Sequence, residues 1–228
     1  NLTNGLCSKS AADNFMSAST DLHLKEDAVD ALDAGTGDFG TSSLSFSDDI
    51  DGHARPFGSA WDIGADEYKE AVIYRSLGPG NTSSLQCGGG TDNVNISSST
   101  SRAAFDSALA DNIGVGDALV YGSDSSILFI SGRASSTVYT VQTASGSIPP
   151  NVSNDSGWCI YRAYTSLADA ESGTENTGIP AAIRDFDTWS GGRDLAAQNE
   201  QWNIACYADA VEDSYFNDEG WTSDADHY

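Results

Sequence analysis

The sequence predicts an all-β fold with one or two short helices, and three observations predict it. Apolar residues occur in short alternating runs rather than at helical spacing. Gly-, Ser- and Asp-rich breaks separate those runs, in a chain with 23 glycines. Aromatic residues reach 10% and include five tryptophans, too many for a disordered chain even though hydrophobic residues make up only 39%. A length of 228 residues allows one large β domain or two smaller ones.

Residues 1–47 alternate short apolar pieces with polar breaks. In "DLHLKEDAVDALDAGTG" (Asp21–Gly37), Leu22 and Leu24 stand at strand spacing. Ala28, Val29, Ala31 and Leu32 then suit one helical turn or a tight corner, ended by Gly35 and Gly37. "DIDGHARPFGSAWDIGADEY" (Asp49–Tyr68) reads as mostly loop, with Trp61 and Ile63 facing inward between acids. "AVIYRSLG" (Ala71–Gly78) is a strand, followed by the Gly-rich loop Gly78–Asn93. Ala118–Tyr121, Ile127–Ser131 and Thr137–Gln142 are three strands joined by Gly/Ser/Asp turns, and Trp158–Tyr164 is a fourth, so 114–164 reads as an antiparallel meander. In "SLADAESG", Ser166 is an N-cap, Asp169 lies three residues on, and Gly173 terminates a short helix. Pro180 suits the first turn of a second. "EQWNIACYAD" (Glu200–Asp209) alternates Trp202, Ile204 and Cys206 as a half-buried strand.

The formal net charge of −24 argues against nucleic acid, whose phosphates would be repelled, and against anionic membrane surfaces. It favours a solvated acidic surface, cation binding or a saline setting. No apolar run is long enough to span a membrane, and the sequence itself shows no signal-peptide pattern. The start at Asn1, without Met, suggests a processed product or a segment of something longer. Cys7, Cys87, Cys159 and Cys206 show no CxxC spacing. An even, widely spaced set suits disulfides in an oxidising compartment with three alternative pairings; buried free thiols are the other reading. N-x-S/T sequons begin at Asn1, Asn81, Asn95, Asn151 and Asn154, compatible with surface glycosylation. Together these features suggest an extracellular or cell-surface protein.

Two stretches resemble one architecture. "DLHLKEDAVDALDAGT" followed by "DIDGHARPFGSAWDIGADEY" is similar to the last rungs and terminal segment of right-handed parallel β-helix proteins, the pectate-lyase-like solenoids of large bacterial surface proteins. That family's pattern runs "D-F-H-L", "A-I-D-A-G", "D-x-D-G-x-x-R-P", "D-I-G-A-x-E". The segment from about 165 to 228 resembles the opening cap of such a solenoid, with weaker motifs. The resemblance implies partial β-solenoid segments, 1–68 and 165–228, flanking a small antiparallel β spacer, 69–164. Spacers of this type often carry a "D-S-D-G-N-G-S" cation loop, of which this chain has only "GSDSS" (Gly122–Ser126).

Candidates for chemistry are few. Asp48, Asp49 and Asp51 are oxygen donors that suit a calcium ion; an acidic loop with Asx turns is the alternative. His23, His53 and His227 have no metal-ligand spacing, no G-x-S-x-G occurs, and the 78–90 loop lacks the Lys of a phosphate loop. Glu171 and Glu175 are either a carboxylate pair for glycoside hydrolysis or a solvated face. Trp189 and Trp221 either stack on sugars or pack a core. The related lyases use a basic residue and a calcium cluster on middle coils, which these segments do not cover, so no catalytic constellation is complete.

The terminal coil of a solenoid exposes unpaired backbone groups. Partial solenoid signatures at both ends therefore lead to one expectation. The chain is an extracellular structural subunit that assembles head to tail into a cell-surface filament, its main partner a second copy of itself. The alternative is a fragment of a large surface adhesin, or of a carbohydrate-binding or polysaccharide-degrading β-helix protein, with glycans as partner.

Overall fold

The structure is a computed structural model and describes residues 10–17, 19, 21–25, 28–35, 49, 50, 55, 60–68, 71–187, 189–198, 200–215, 217 and 219–223. The chain divides into two units, Asn1–Glu70 and Ala71–Tyr228. The 164/165 boundary expected from sequence lies inside the second unit.

In the first unit, Ser10 opens a single helical turn, α1 (Ala11–Asn14), its hydroxyl accepting the Ala12 N–H. Strands β1 (Phe15–Ser17) and β2 (Asp21–Leu24) follow as an antiparallel pair, with Phe15 opposite Leu24 and an irregularity before Ser17. The apolar spacing after β2 folds as the expected corner. The N–H groups of Ala31 and Leu32 both return to the Ala28 carbonyl, at 2.7 and 3.0 Å. That corner drives Ala28 and Ala31 against Leu24, and Phe15, Leu32, Ile63 and Tyr68 pack around them.

The second unit is built on β-strands: β3 (Ala71–Leu77), β4 (Gln86–Cys87), β5 (Val94–Ser97), β6 (Arg102–Phe105), β7 (Ala118–Tyr121), β8 (Ser126–Arg133), β9 (Val138–Gln142), β10 (Val152–Asp155), β11 (Cys159–Tyr161) and, late in the chain, β12 (Glu200–Cys206). Eight of them form one antiparallel sheet in the order β10-β5-β6-β9-β8-β7-β11-β4. The expected meander is present as the consecutive neighbours β7, β8 and β9. The sheet also recruits β5, β6 and β10, short strands that no sequence pattern singles out, and β4, which lies inside the Gly78–Asn93 stretch expected as loop.

Strand period 2 separates two cores. Leu119 and Tyr121 of β7, with Leu128 and Ile130 of β8, join Val94, Phe105, Tyr139, Val141, Trp158 and Ile160 on one face. Ala118, Val120 and Phe129 turn to the other face and meet Leu77, Tyr164, Ala170, Ile179 and Trp189. All four residues of β7 are therefore buried, which explains its continuous apolar run. The second core includes side chains from both sides of position 164, so the late segment packs as part of the same unit.

The helices are short. α2 (Leu167–Ser172) has the expected cap: the Ser166 hydroxyl accepts the Asp169 N–H at 3.0 Å, and Gly173 closes the helix in the left-handed region at φ 69°. Pro180 introduces a 3-10 turn over Ala181–Ile183 where a second helix was expected. α3 (Leu195–Gln198) leads towards β12. No helix among the described residues is long and apolar enough to cross a membrane.

β12 does not join the large sheet. It pairs in parallel with β3 over seven consecutive residues, from Glu200 opposite Ala71 to Cys206 opposite Leu77. Parallel strands need a crossover, and here the crossover contains the whole eight-stranded sheet. The fold is thus all-β with short helices, as expected. Among the described residues this ladder has two strands, and a stack of further solenoid coils is not formed.

One disulfide fastens the sheet. Cys87 and Cys159 sit opposite each other on β4 and β11, 72 positions apart in sequence. Closing a loop of that length restricts the unfolded chain by about 4 kcal/mol. Reduction, or Cys159→Ser, is expected to lower the thermal midpoint by that stability; unfolding scans with and without reductant check it.

Candidate functional site

Backbone hydrogen-bond parity defines the most unusual surface of the second unit. The Tyr207 N–H donates to the Leu77 carbonyl at 2.8 Å, continuing the β12–β3 ladder. In a parallel strand alternate residues bond to alternate sides. Gln201, Asn203 and Ala205 therefore bond inward to β3, and Glu200, Trp202, Ile204 and Cys206 direct their N–H and C=O groups outward. Among the described residues no backbone hydrogen bond reaches that outward row. The far side of β3 is instead occupied: the Ser76 N–H donates to the Gly116 carbonyl, the Ser76 carbonyl accepts from Tyr164, and the Val72 carbonyl accepts from the Gln142 side chain. Gly116, at φ 85°, approaches so closely that a Cβ there would overlap the Arg75 carbonyl.

The other sheet edges differ. β4 is two residues long and is tied to its neighbour by the disulfide. β10 is irregular: its register against β5 shifts between Val152 and Asp155, and Asn154 sits at φ 52°. Asn side chains stand in for part of the ladder that joins it to β5, with Asn95 Oδ1 accepting the Asn154 N–H and Asn151 Oδ1 accepting the Ser98 N–H.

Buried charge holds β12 in place from both ends. At its start, Arg193 forms a two-point pair with Glu200, with one contact at 2.7 Å. Past its end, Arg162 donates to both carboxylate oxygens of Asp209 at 2.9 Å and to Asp117 at 2.8 and 2.9 Å. The Tyr207 ring lies 3.7 Å beneath the same guanidinium. Burial pushes the Asp117 carboxyl up to about 6 against the opposing pull of Arg162. Arg162 holds the Asp209 carboxyl below its usual value, because Asp209 keeps 15% of its side chain in water where Asp117 keeps none. Beneath β3, Arg75 pairs with Asp187 at 2.6 and 2.9 Å and lies over the Phe129 ring at 3.8 Å. Tyr164 also donates to Asp187. These groups neutralise one another inside the fold.

The core-facing row of β12 ends in a tryptophan trio. Trp202 is edge-on to Trp189 and stacked on Trp221, with centroids 4.5 Å apart and planes 17° apart. Thr222, next to Trp221, makes a parallel bridge with Asp194: Leu195 donates to its carbonyl and its N–H returns to Arg193. The chain after β12 therefore comes back to lie parallel to the segment that leads into β12.

In the first unit, the "HARP" and "WDIGADEY" motifs form a structural lock. Arg55 donates to Glu67 at 2.9 Å and to the carbonyls of Gly64 and Asp62. Both side chains of that ion pair are essentially fully buried. Asp62 accepts N–H groups from Asp33 and Tyr68, Asp66 accepts from Leu24, and Glu67 accepts from Asp62. Burial raises the Asp62 carboxyl, and these backbone donors oppose the shift. The acids of the motif cap loop backbone.

The residues singled out from sequence fare differently. Asp49 is half-buried; Asp48 and Asp51 lie outside the described residues, among which no cluster of three metal-binding side chains occurs. Cys87 and Cys159 are paired, whereas Cys206, expected among the disulfide cysteines, is a free and exposed thiol, raised by burial and by Glu212. Cys7 and Asn1 lie outside the described residues. Asn151 and Asn154 are exposed and Asn95 is half-buried. The Asn81 side chain donates to Asp209 at 2.8 Å. Glu175 accepts the N–H groups of Phe186 and Asp187, so it fastens a turn. Trp189 is buried in the trio, on the packing side of its two expected roles.

One further concavity, about 410 Å³, lies between the β7–β8 hairpin and the 182–186 turn, lined by Tyr121, Ser126, Ile127, Thr143, Ile183 and Phe186 among others. It holds no pair of facing acid and base. Comparison with protein-family models, curated proteins and solved structures finds no match to this chain.

Two expectations follow from the buried charges. Arg55→Ala leaves Glu67 buried without its countercharge and is expected to cost about 3–5 kcal/mol, read by denaturant unfolding; adding Glu67→Gln is expected to recover part of the loss. Asp117 has a raised carboxyl, so its contribution to stability is full below about 3.8 and is lost as pH rises through about 6. Asp209 behaves oppositely, its contribution present above the usual carboxylate range and lost as pH falls through its lowered value. Relative to Asp117→Asn, the wild-type melting temperature is expected to rise as pH falls from 7 to 4, measured by thermal scans of both proteins.

Proposed function

We propose that this chain is an extracellular structural module that assembles by strand addition at the β12 edge, a second copy supplying the next strand and so propagating a head-to-tail fibre. The observation that carries the reading is the outward row of Glu200, Trp202, Ile204 and Cys206, an unbroken parallel edge without proline, lysine or bulge. Its N–H and C=O groups, at about 0.5–1.5 kcal/mol net per hydrogen bond, give a strand-sized contact several kcal/mol of favourable energy. The cross-strand disulfide and the sequons support an extracellular setting. The solenoid-like signatures of the N-terminal unit make it the natural donor. The contact is heterologous, so it extends rather than closes.

A second reading has its own observation. Thr222 stacks in parallel on Asp194, as the start of a further coil would. In a longer surface protein, that coil would cover β12 from within the same chain.

Negative-stain microscopy with light scattering separates the two readings. The wild-type chain is expected to form fibres. Ile204→Pro deletes an outward N–H, leaves the inner ladder its donors, and is expected to raise the concentration needed for assembly by about tenfold or more, roughly the loss of one or two hydrogen bonds. Ile204→Val is expected to assemble normally, and retention of the disulfide and of the thermal transition reports folding of each variant. A monodisperse wild-type protein at high concentration removes the fibre and leaves the coil-continuation reading.

A further inference from the structure

We propose that assembly at the β12 edge is gated by ionic strength, the chain remaining dispersed in dilute salt and associating when its own charge is screened. This rests on the reading of β12 as the assembly edge. Its basis is where the second unit keeps its positive charge. No lysine follows Lys69, so arginine supplies every cation from Ala71 onward. Arg75 and Arg162 have no exposed side-chain surface and are neutralised by Asp187, Asp117 and Asp209. Arg193 is committed to Glu200, and Arg133 pairs with Asp111. Three of the six arginines of this unit, Arg75, Arg162 and Arg193, are thereby spent on holding the fold, and carboxylates outnumber the cations left for the surface that a second copy meets.

The imbalance is concentrated where it matters. The segment leaving β12 carries Glu212 and Asp213 within a few residues of Cys206, and the Glu212 charge is felt at the Cys206 thiol. An incoming copy brings a formal net charge of −24 of its own. The attraction of the edge acts only over hydrogen-bond distance. The repulsion reaches about 30 Å in 0.01 M salt and only about 3 Å in 1 M salt. Dilute salt therefore keeps the copies beyond the reach of the ladder, and concentrated salt leaves the ladder unopposed.

The test is light scattering of the full chain at neutral pH, from about 10 mM to about 1 M NaCl, with MgCl2 at matched ionic strength as a second arm. The expected result is no association in dilute salt, association above a threshold, and reversal on dilution. The threshold should follow ionic strength whichever cation is present. Asp213→Lys, at an exposed position with no hydrogen bond recorded to it, is expected to move the threshold to at least about twofold lower salt, the direction set by removing local repulsion. Association that is equal in dilute salt, or that weakens as salt rises, overturns the gating and leaves the edge reading standing. A threshold set by magnesium concentration alone also overturns it, in favour of a bridging ion. Absence of association at every salt concentration, or equal association by Ile204→Pro, overturns the edge reading and the gating with it.

Discussion

The parallel pairing of β3 with β12 is the constraint on which the second unit depends. It joins the first strand of that unit to its last, and the eight-stranded sheet is folded within the connection. A contact between such distant segments carries a large closure entropy, so it forms only with help from elsewhere. The help is visible at both ends: Arg193 holds Glu200 where the strand starts, and Arg162 holds Asp209 just after it stops. The tryptophan trio packs the core-facing row between those clamps.

Arginine serves as a structural fastener in both units. Arg55, Arg75 and Arg162 are each buried, each paired with a carboxylate, and each placed over or beside an aromatic ring. The planar guanidinium suits this use because it satisfies several acceptors at once while stacking on an apolar face. In an acidic chain with few cations, this arrangement concentrates negative charge outside and balances it inside. Such buried pairs specify which segments meet more than they add net stability, since removing a charge from water offsets much of the attraction.

Much of the second unit was legible because its strands are local. β7, β8 and β9 are flanked by Gly/Ser/Asp turns and alternate or run apolar, and the Ser166–Gly173 helix carries both its caps. β5 and β6 were not legible: "VNIS" and "RAAF" are four residues each, and their burial comes from neighbours far along the chain. Neither was the parallel partnership of β3 with β12, since side-chain alternation marks a strand and does not name its partner. The "WDIGADEY" motif is part of the resemblance to a solenoid's terminal segment, but the role of its acids as acceptors for the N–H groups of Leu24, Asp33 and Tyr68 depends on contacts that no local pattern encodes.

The edges of the second unit show why β12 stands apart. An open strand edge is a template for association, and folded chains ordinarily blunt it. β4 is two residues long and cross-linked, and β10 is short and shifted in register, with Asn154 in the left-handed region. β12 shows none of these devices: its seven pairs run without a shift, and neither proline nor lysine interrupts it. Among the described residues the chain protects two edges and leaves its longest regular one without a partner strand. In the gating proposed above, what restrains that edge is charge, which differs from a bulge or a proline in one physical respect. Screening would remove it and dilution would restore it, so the same backbone row would serve both a dispersed molecule and an extended one.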